Sequence, residues 1–230
     1  MLEPVRQGTL PEAERVDVTL RMEGFRTRGS FYEQGGKRAL DLALVILTLP
    51  VCLPLMAGCA ALMALEGGRP FYTHVRVGRN GKPFRLWKLR TMVADADDRL
   101  EALLASDPAA REEWARAQKL RDDPRITAVG RLLRAAFLDE LPQLLNVLRG
   151  EMSLVGPRPM MPGQQPLYPG SSYYRLRPGM TGFWQISNRD ACRFRDRARF
   201  DDMYAGCLSL GTDLAVLWRT VGTVLSATGR

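Results

Sequence analysis

Histidine is almost missing from this chain: His74 is the only one in 230 residues. A Ser-His-Asp or Cys-His relay would have to pass through that single position, where a structural, hydrogen-bonding role is the simpler expectation. Cysteine is scarce as well. Cys52, Cys59, Cys192 and Cys207 show no C-x-x-C spacing, which argues against a zinc site or a disulfide framework and fits a reducing compartment. Negative charge is in the minority, 25 Asp and Glu against 33 Lys and Arg, for a net charge of +8. An excess of that sign calls for an anionic partner: nucleic acid, anionic lipid or a phosphorylated substrate. Zinc-finger spacing and aromatic RNA-binding motifs are both lacking, so nucleic acid is not expected. The first 36 residues are too polar for a signal peptide.

Charge is also missing from every position between Leu42 and Leu65, a run long enough to cross a bilayer at ~20 residues per span. Pro50 and Pro54 fall inside it, and each deletes a helix hydrogen bond and bends the axis. Lys37 and Arg38 precede the run, and Arg69, Arg76, Arg79 and Lys82 follow it, so the positive-inside tendency places both flanks on the cytoplasmic side. A helix that enters, turns near Pro54 and returns satisfies both constraints. A straight bitopic anchor is the rival reading. These features divide the chain into a flexible tail (1–34), a re-entrant membrane helix (35–68) and a cytoplasmic or interfacial domain (69–230).

Past the apolar run, FYTHVRVG and PFRLWKLRTM flank Arg79-Asn80-Gly81-Lys82, and Asn-Gly between two such runs signals a β-hairpin. Arg85, Lys88 and Arg90 make the second strand positive, either as a solvated face or as phosphate ligands. Residues 97–106 and 109–121 read as surface helices, with Asp107 and Pro108 as N-cap and first residue of the second. ITAVGRLLRAAFL alternates apolar and basic residues at helical spacing, suiting either a membrane surface or a core. Residues 162–172 read as a loop. RLRPGMTGFWQISNRD combines glycine turns with Trp184, Gln185 and Arg189 and is a weak candidate for an anion site. A final helix over about 213–226 spaces Leu214, Leu217, Trp218, Val221 and Leu225 for packing on a core or a bilayer interface.

The stretch with chemistry in it is RAAFLDELPQLLNVLRGEMSLVGPRP, from Arg134 to Pro159. Asp139 and Glu140 stand just before Pro142, which disfavours the helical conformation at Leu141 and suits the first turn of a new helix. That helix runs to Gly150, a C′ residue, so the acid pair lies at a helix break beside a positive helix end. The strand SLV then leads to Gly156-Pro157-Arg158-Pro159, a stiff loop presenting one guanidinium. An acidic turn followed by an ordinary proline-rich loop accounts for the same letters. A carboxylate-pair hydrolase of the glycosidase kind is a further alternative, but it needs no bilayer.

Taken in order, KRALDLALVILTLPVCLPLM, RVGRNGKPFRLWKLRTM, DPRITAVGRLLRAAFLDELPQLLNVLRGEMSLVGPRP and RPGMTGFWQISNRD resemble the bacterial sugar transferase family, the monotopic polyprenyl-phosphate phosphoglycosyl transferases. The resemblance covers about residues 36–230 and is strongest to members that initiate exopolysaccharide synthesis with galactose 1-phosphate. It implies transfer of a phospho-sugar from a UDP-sugar to undecaprenyl phosphate, with release of UMP, at the cytoplasmic face of the bacterial inner membrane. By position it makes Asp139 the nucleophile and Glu140 its partner, the pair serving a Mg2+ ion. Arg158, Arg189 and Arg134, together with Lys88 and Arg90, become phosphate ligands, and Pro54 with Pro50 becomes the break in the membrane helix. Leu53 stands where a serine often precedes that proline, leaving Thr48 or the backbone to serve the break. The implied fold is α+β and mainly helical: a re-entrant helix, interfacial amphipathic helices and a small β-hairpin. Membrane phospholipids are implied partners, and a homo-oligomer is left open. A non-catalytic scaffold of a polysaccharide assembly complex is the alternative of a different class.

Overall fold

The structure, a computed structural model, describes residues 31–67, 69–117, 120–187 and 194–225. The described chain is mainly helical, with two small sheets.

A single turn of π-helix, Tyr32–Gly36, runs directly into α1 (Lys37–Leu65). The helix thus starts ahead of Gly35, and the Tyr32 hydroxyl donates to Asp213 at 2.5 Å. Helix α1 has 29 residues and carries Pro50 and Pro54 within it. Its middle is bare: Ile46, Leu47, Val51, Leu53 and Leu55 are all exposed. Thr48 donates to the carbonyls of Leu44 and Val45. The carbonyls left without a partner by the prolines belong to Ile46 and Pro50, four residues before each ring, so Thr48 does not serve the break.

Both ends of α1 are docked. Near its start, the Arg38 guanidinium donates to the carbonyls of Val147 and Leu148, the last turn of α5 (Gln143–Arg149), where a cation satisfies orphan carbonyls. Buried Asp41 accepts from Ser153 Oγ and the Leu154 amide on β3 (Ser153–Val155). Val45 packs with Phe84, Leu86, Val147 and Met152. At its far end, Cys59 and Met63 pack with Leu89 and Leu133, and Glu66 accepts from the Thr127 hydroxyl. Thr127 is the N-cap of α4 (Ala128–Ala135). The basic amphipathic segment therefore turns Leu133 and Val129 onto α1 and leaves Leu132 and Arg131 outside.

The expected hairpin is present. β1 (Phe71–Val77) pairs antiparallel with β2 (Pro83–Leu89), Val77 opposite Pro83, and Asn80 and Gly81 take the positive φ of the turn. His74 is exposed on β1, opposite Leu86, and its side chain makes no hydrogen bond among the described residues. Two surface helices follow, α2 (Ala96–Ser106) and α3 (Pro108–Ala117), with Asp107 capping the second through the amides of Ala109 and Ala110.

Three elements depart from the sequence expectation. Residues 162–167, read as loop, form a 3-10 helix that Pro162 starts and the Gln164 side chain supports by accepting the Met161 amide; a short helix α6 (Ser172–Arg175) follows. GMT forms β4 (Gly179–Thr181), which pairs parallel with β3. Gly179 and Gly156 make that pairing possible: a Cβ on Gly179 would sit 2.1 Å from the Gly156 amide nitrogen. Beyond β4 come α7 (Phe183–Ile186) and α8 (Arg197–Gly206). The last helix, α9 (Leu210–Leu225), starts earlier than expected and turns Val216, Leu217 and Asp213 inward, leaving Leu214, Trp218 and Val221 exposed.

Candidate active site

Asp139 and Glu140 occupy one turn of 3-10 helix, Leu138–Glu140, between α4 and α5. Phe137, just ahead, has φ 56°, a left-handed conformation that non-glycine residues seldom adopt. It reverses the chain and separates α4 from the acid turn. Leu138 anchors the turn in the cluster of Cys59, Met63, Leu89 and Leu133, while Leu144 and Val147 of α5 anchor its other side on Val45 and Leu86. Gly150, at φ 78°, ends α5 as the C′ residue the sequence indicated.

The carboxylates are largely buried and face one ammonium. Lys88 Nζ lies 2.7 Å from Glu140 Oε1 and 3.4 Å from Asp139 Oδ2. Burial works against the charge on Lys88, but Glu140 and Asp139 outweigh it and hold the ammonium above its ordinary range. Burial pushes the Asp139 carboxyl up; the cations of Lys88 and Arg134 pull it down, and the neighbouring charge of Glu140 adds to the rise. Arg134 is fixed by donating from Nε to the Thr91 hydroxyl at 2.8 Å. From the proline-rich loop, Arg158 brings Nη2 to 3.7 Å from Glu140 Oε1. Asp139, Glu140, Lys88, Arg134 and Arg158 are thus gathered in one place, although they come from β2, α4, the acid turn and a loop.

Arg90 is not among them. Strand β2 ends at Leu89, and the Arg90 guanidinium turns back to the carbonyl of Gly67, closing the C-terminal end of α1. Arg189 lies outside the described residues. Pro50 and Pro54 lie inside α1, which runs as one helix from Lys37 to Leu65.

Two further arginines belong to the same region and have no signal in the sequence. Arg76 of β1 is half-buried, and burial and Arg158 both depress its basicity. Arg197, the first residue of α8, stacks 4.2 Å from the centre of the Trp184 ring. Trp184 itself is buried and also lies under Arg158, at 5.8 Å. In the sequence, Arg76 is one flanking charge among several and Arg197 opens an unremarkable polar helix.

Among the described residues no cluster of three or more His, Cys, Asp or Glu side chains forms a metal cage. The pair Asp139 and Glu140 fits a different kind of site, in which Mg2+ takes one or two carboxylates and completes its shell with substrate phosphate and water.

A family model described as bacterial sugar transferase matches residues 32–227. A UDP-galactose-lipid carrier transferase of Erwinia amylovora is 44% identical over 195 residues, 84% of this chain and 41% of that protein. An exopolysaccharide production protein, ExoY, of Sinorhizobium fredii is 44% identical over 196 residues, 84% of this chain and 87% of that protein. An undecaprenyl-phosphate galactose phosphotransferase of Salmonella typhimurium is 45% identical over 195 residues, again 84% of this chain and 41% of that protein. The chain thus spans less than half the length of two of these relatives and most of the third.

Proposed function

The chain belongs to the bacterial sugar transferase family, and from that premise we propose that it transfers a sugar 1-phosphate from a UDP-sugar to undecaprenyl phosphate, initiating exopolysaccharide synthesis. The observation that carries the reading is the convergence of a buried carboxylate pair with Lys88, Arg134 and Arg158. A carboxylate attacking a diphosphate meets repulsion between like charges, and only a cation-lined site lowers that barrier.

Asp139 attacks the phosphorus nearest the sugar. The bond from that phosphorus to the UMP oxygen breaks, UMP leaves, and an acyl-phosphate joins the enzyme to the sugar. An oxygen of the lipid phosphate then attacks the same phosphorus and Asp139 departs as a free carboxylate. One diphosphate is exchanged for another, so the step needs no ATP. Lys88 and Arg134 keep enough of Asp139 ionised to attack in spite of its burial. Arg158 faces the side of Glu140 that a phosphate would approach. Mg2+, held by Asp139 and Glu140, would add neutralising charge beside the phosphate under attack.

The site is placed, in this reading, at the cytoplasmic face of the inner membrane. Pro50 and Pro54 in the bare middle of α1, with core packing at both of its ends, support a helix bent at its prolines, its middle immersed in lipid and both ends on one side. The exposed stripe Leu210, Leu214, Trp218 and Val221 on α9 supports a second contact at headgroup level, where tryptophan is favoured.

The test is incubation of the full chain with UDP-sugar labelled in the phosphate next to the sugar, without lipid acceptor. Label should stay on the protein, Asp139→Asn should take none, and Glu140→Gln should acquire it far more slowly. Absence of label on the wild-type chain, with turnover retained in Asp139→Asn, would overturn the covalent scheme. A panel of UDP-sugars assayed for UMP release identifies the hexose, galactose or glucose.

A further inference from the structure

Two guanidinium groups lie over Trp184, and a third neighbours them. The Arg197 guanidinium lies 4.2 Å and that of Arg158 5.8 Å from the ring centre, and Arg197 also lies 4.5 Å from the Phe194 ring. Arg76 reaches the same region from β1: burial and then Arg158 depress its basicity, and burial, Arg158 and Arg76 together hold Arg197 down at about 9. The Nε–H groups of Arg76 and Arg197 are both buried and donate to no acceptor among the described residues. No carboxylate there lies within ion-pairing distance of either side chain. Asp201 attracts Arg197, but its Oδ2 is taken up by the Tyr168 hydroxyl at 2.7 Å.

Like charges desolvated together destabilise a fold unless an opposite charge joins them. Guanidinium groups are suited to receive phosphate, because their planar N–H forks match its oxygens in pairs. The cluster also adjoins the acid pair, since Glu140 Oε1 faces both Lys88, at 2.7 Å, and Arg158, at 3.7 Å.

We infer that Arg76, Arg158 and Arg197, backed by Trp184, form a cradle for a second phosphate group, adjacent to the phosphate attacked at Asp139. The inference rests on the reaction proposed above, in which two ligands bring such a group: the donor, whose second phosphate leaves in UMP, and the lipid acceptor. Arg197 and Arg76 are binding residues in this assignment.

The full chain in detergent micelles, as wild type, Arg197→Met, Arg76→Met and Arg197→Lys, provides the test. Thermal unfolding is recorded without ligand, and dissociation constants are measured for UMP and for a short-chain polyprenyl phosphate. Methionine keeps an apolar stem, on Trp184 in the case of Arg197, and removes one of three repelling charges. The ligand-free midpoint of both methionine variants should therefore equal or exceed that of the wild type, whereas an arginine needed for folding would lower it. One of the two ligands should bind about tenfold more weakly or worse, and which one it is identifies the source of the phosphate. Arg197→Lys should recover part of that loss. Both dissociation constants within twofold of wild type, or a lowered ligand-free midpoint in either methionine variant, would overturn the assignment. If the wild type released no UMP but bound phosphate through these arginines, the reaction would fall and the cradle would stand. Normal turnover with binding unaltered in the variants would do the reverse.

Discussion

Replacing Lys88 by Met isolates what one ammonium does for two carboxylates. Lys88 Nζ is 2.7 Å from Glu140 and 3.4 Å from Asp139, with side-chain exposures of 16%, 16% and 8% respectively for the three residues. At that burial, solvent screens the pair little, and removing one partner leaves uncompensated charge inside the protein. The expected loss is roughly 3–5 kcal/mol at neutral pH. The pH dependence carries the sharper signature. Asp139 already has a folded-state carboxyl raised above its ordinary value by burial, so its fold favours protonation and loses stability as pH rises through that folded value. Without Lys88 the carboxyl rises further, and this loss extends to higher pH. Lys88, whose own ammonium is raised, keeps its stabilising charge throughout this range. Thermal unfolding from pH 5 to 8 in detergent micelles should therefore show a gap between wild type and Lys88→Met that is widest at pH 8 and narrows toward pH 5. Lys88→Arg, which retains a cation, should fall between them. A gap that is constant with pH, or a variant as stable as wild type at pH 8, would refute the electrostatic account of the site.

Two other substitutions test features away from the acid pair. Burial lifts Asp201 to about 7 from an ordinary 3.8, against the opposing pull of the Tyr168 hydroxyl and Arg197, so its fold favours the protonated form and stability is lost as pH rises between those values. Asp201→Asn, which can still accept from Tyr168, should shrink the decline in melting temperature between pH 5 and 8 and match or exceed wild type at pH 8. A Cβ on Gly179 would lie 2.1 Å from the Gly156 nitrogen and 2.4 Å from the Thr181 oxygen, backbone atoms that cannot move aside. Gly179→Ala should lose about 3 kcal/mol or more in denaturant titration, whereas Gly163→Ala, with open space around it, should change stability by no more than about 0.5 kcal/mol.

Local chemistry explains which parts of this arrangement could be read from the letters. Asn80-Gly81 dictates a hairpin by backbone preference alone, and Pro142 with Gly150 brackets α5 for the same kind of reason. The acid pair was legible because adjacent carboxylates ahead of a proline are conspicuous in one dimension. Strand β4 was not: Gly-Met-Thr is too short to show an alternation, and its pairing depends on two glycines 23 positions apart meeting in space. The place of Arg90 is not legible in the letters, because the strand stops at Leu89 and the guanidinium turns to the Gly67 carbonyl. Arg76 and Arg197 were passed over because a charge in a sequence looks the same whether water or an aromatic ring will surround it. The period of the α9 leucines is legible, but which of them turn inward is not: Asp213 holds the inward side by accepting from Lys37, Tyr32 and Tyr204, so Leu217 packs inside while Leu214, Trp218 and Val221 face out.

The two moorings of α1 limit how this protein can be cut. Arg38 and Asp41 hold the chain just downstream of the acid turn, and Glu66 holds it just upstream. Val45 and Met63 fill the two patches of core on which that turn rests. Trimming the greasy helix to obtain a water-soluble fragment starting at Arg69 would strip Leu86, Leu89, Leu133 and Val147 of their cover and release the acid turn from both sides. What looks in the letters like a detachable stem is, for the reactive turn, half of its foundation.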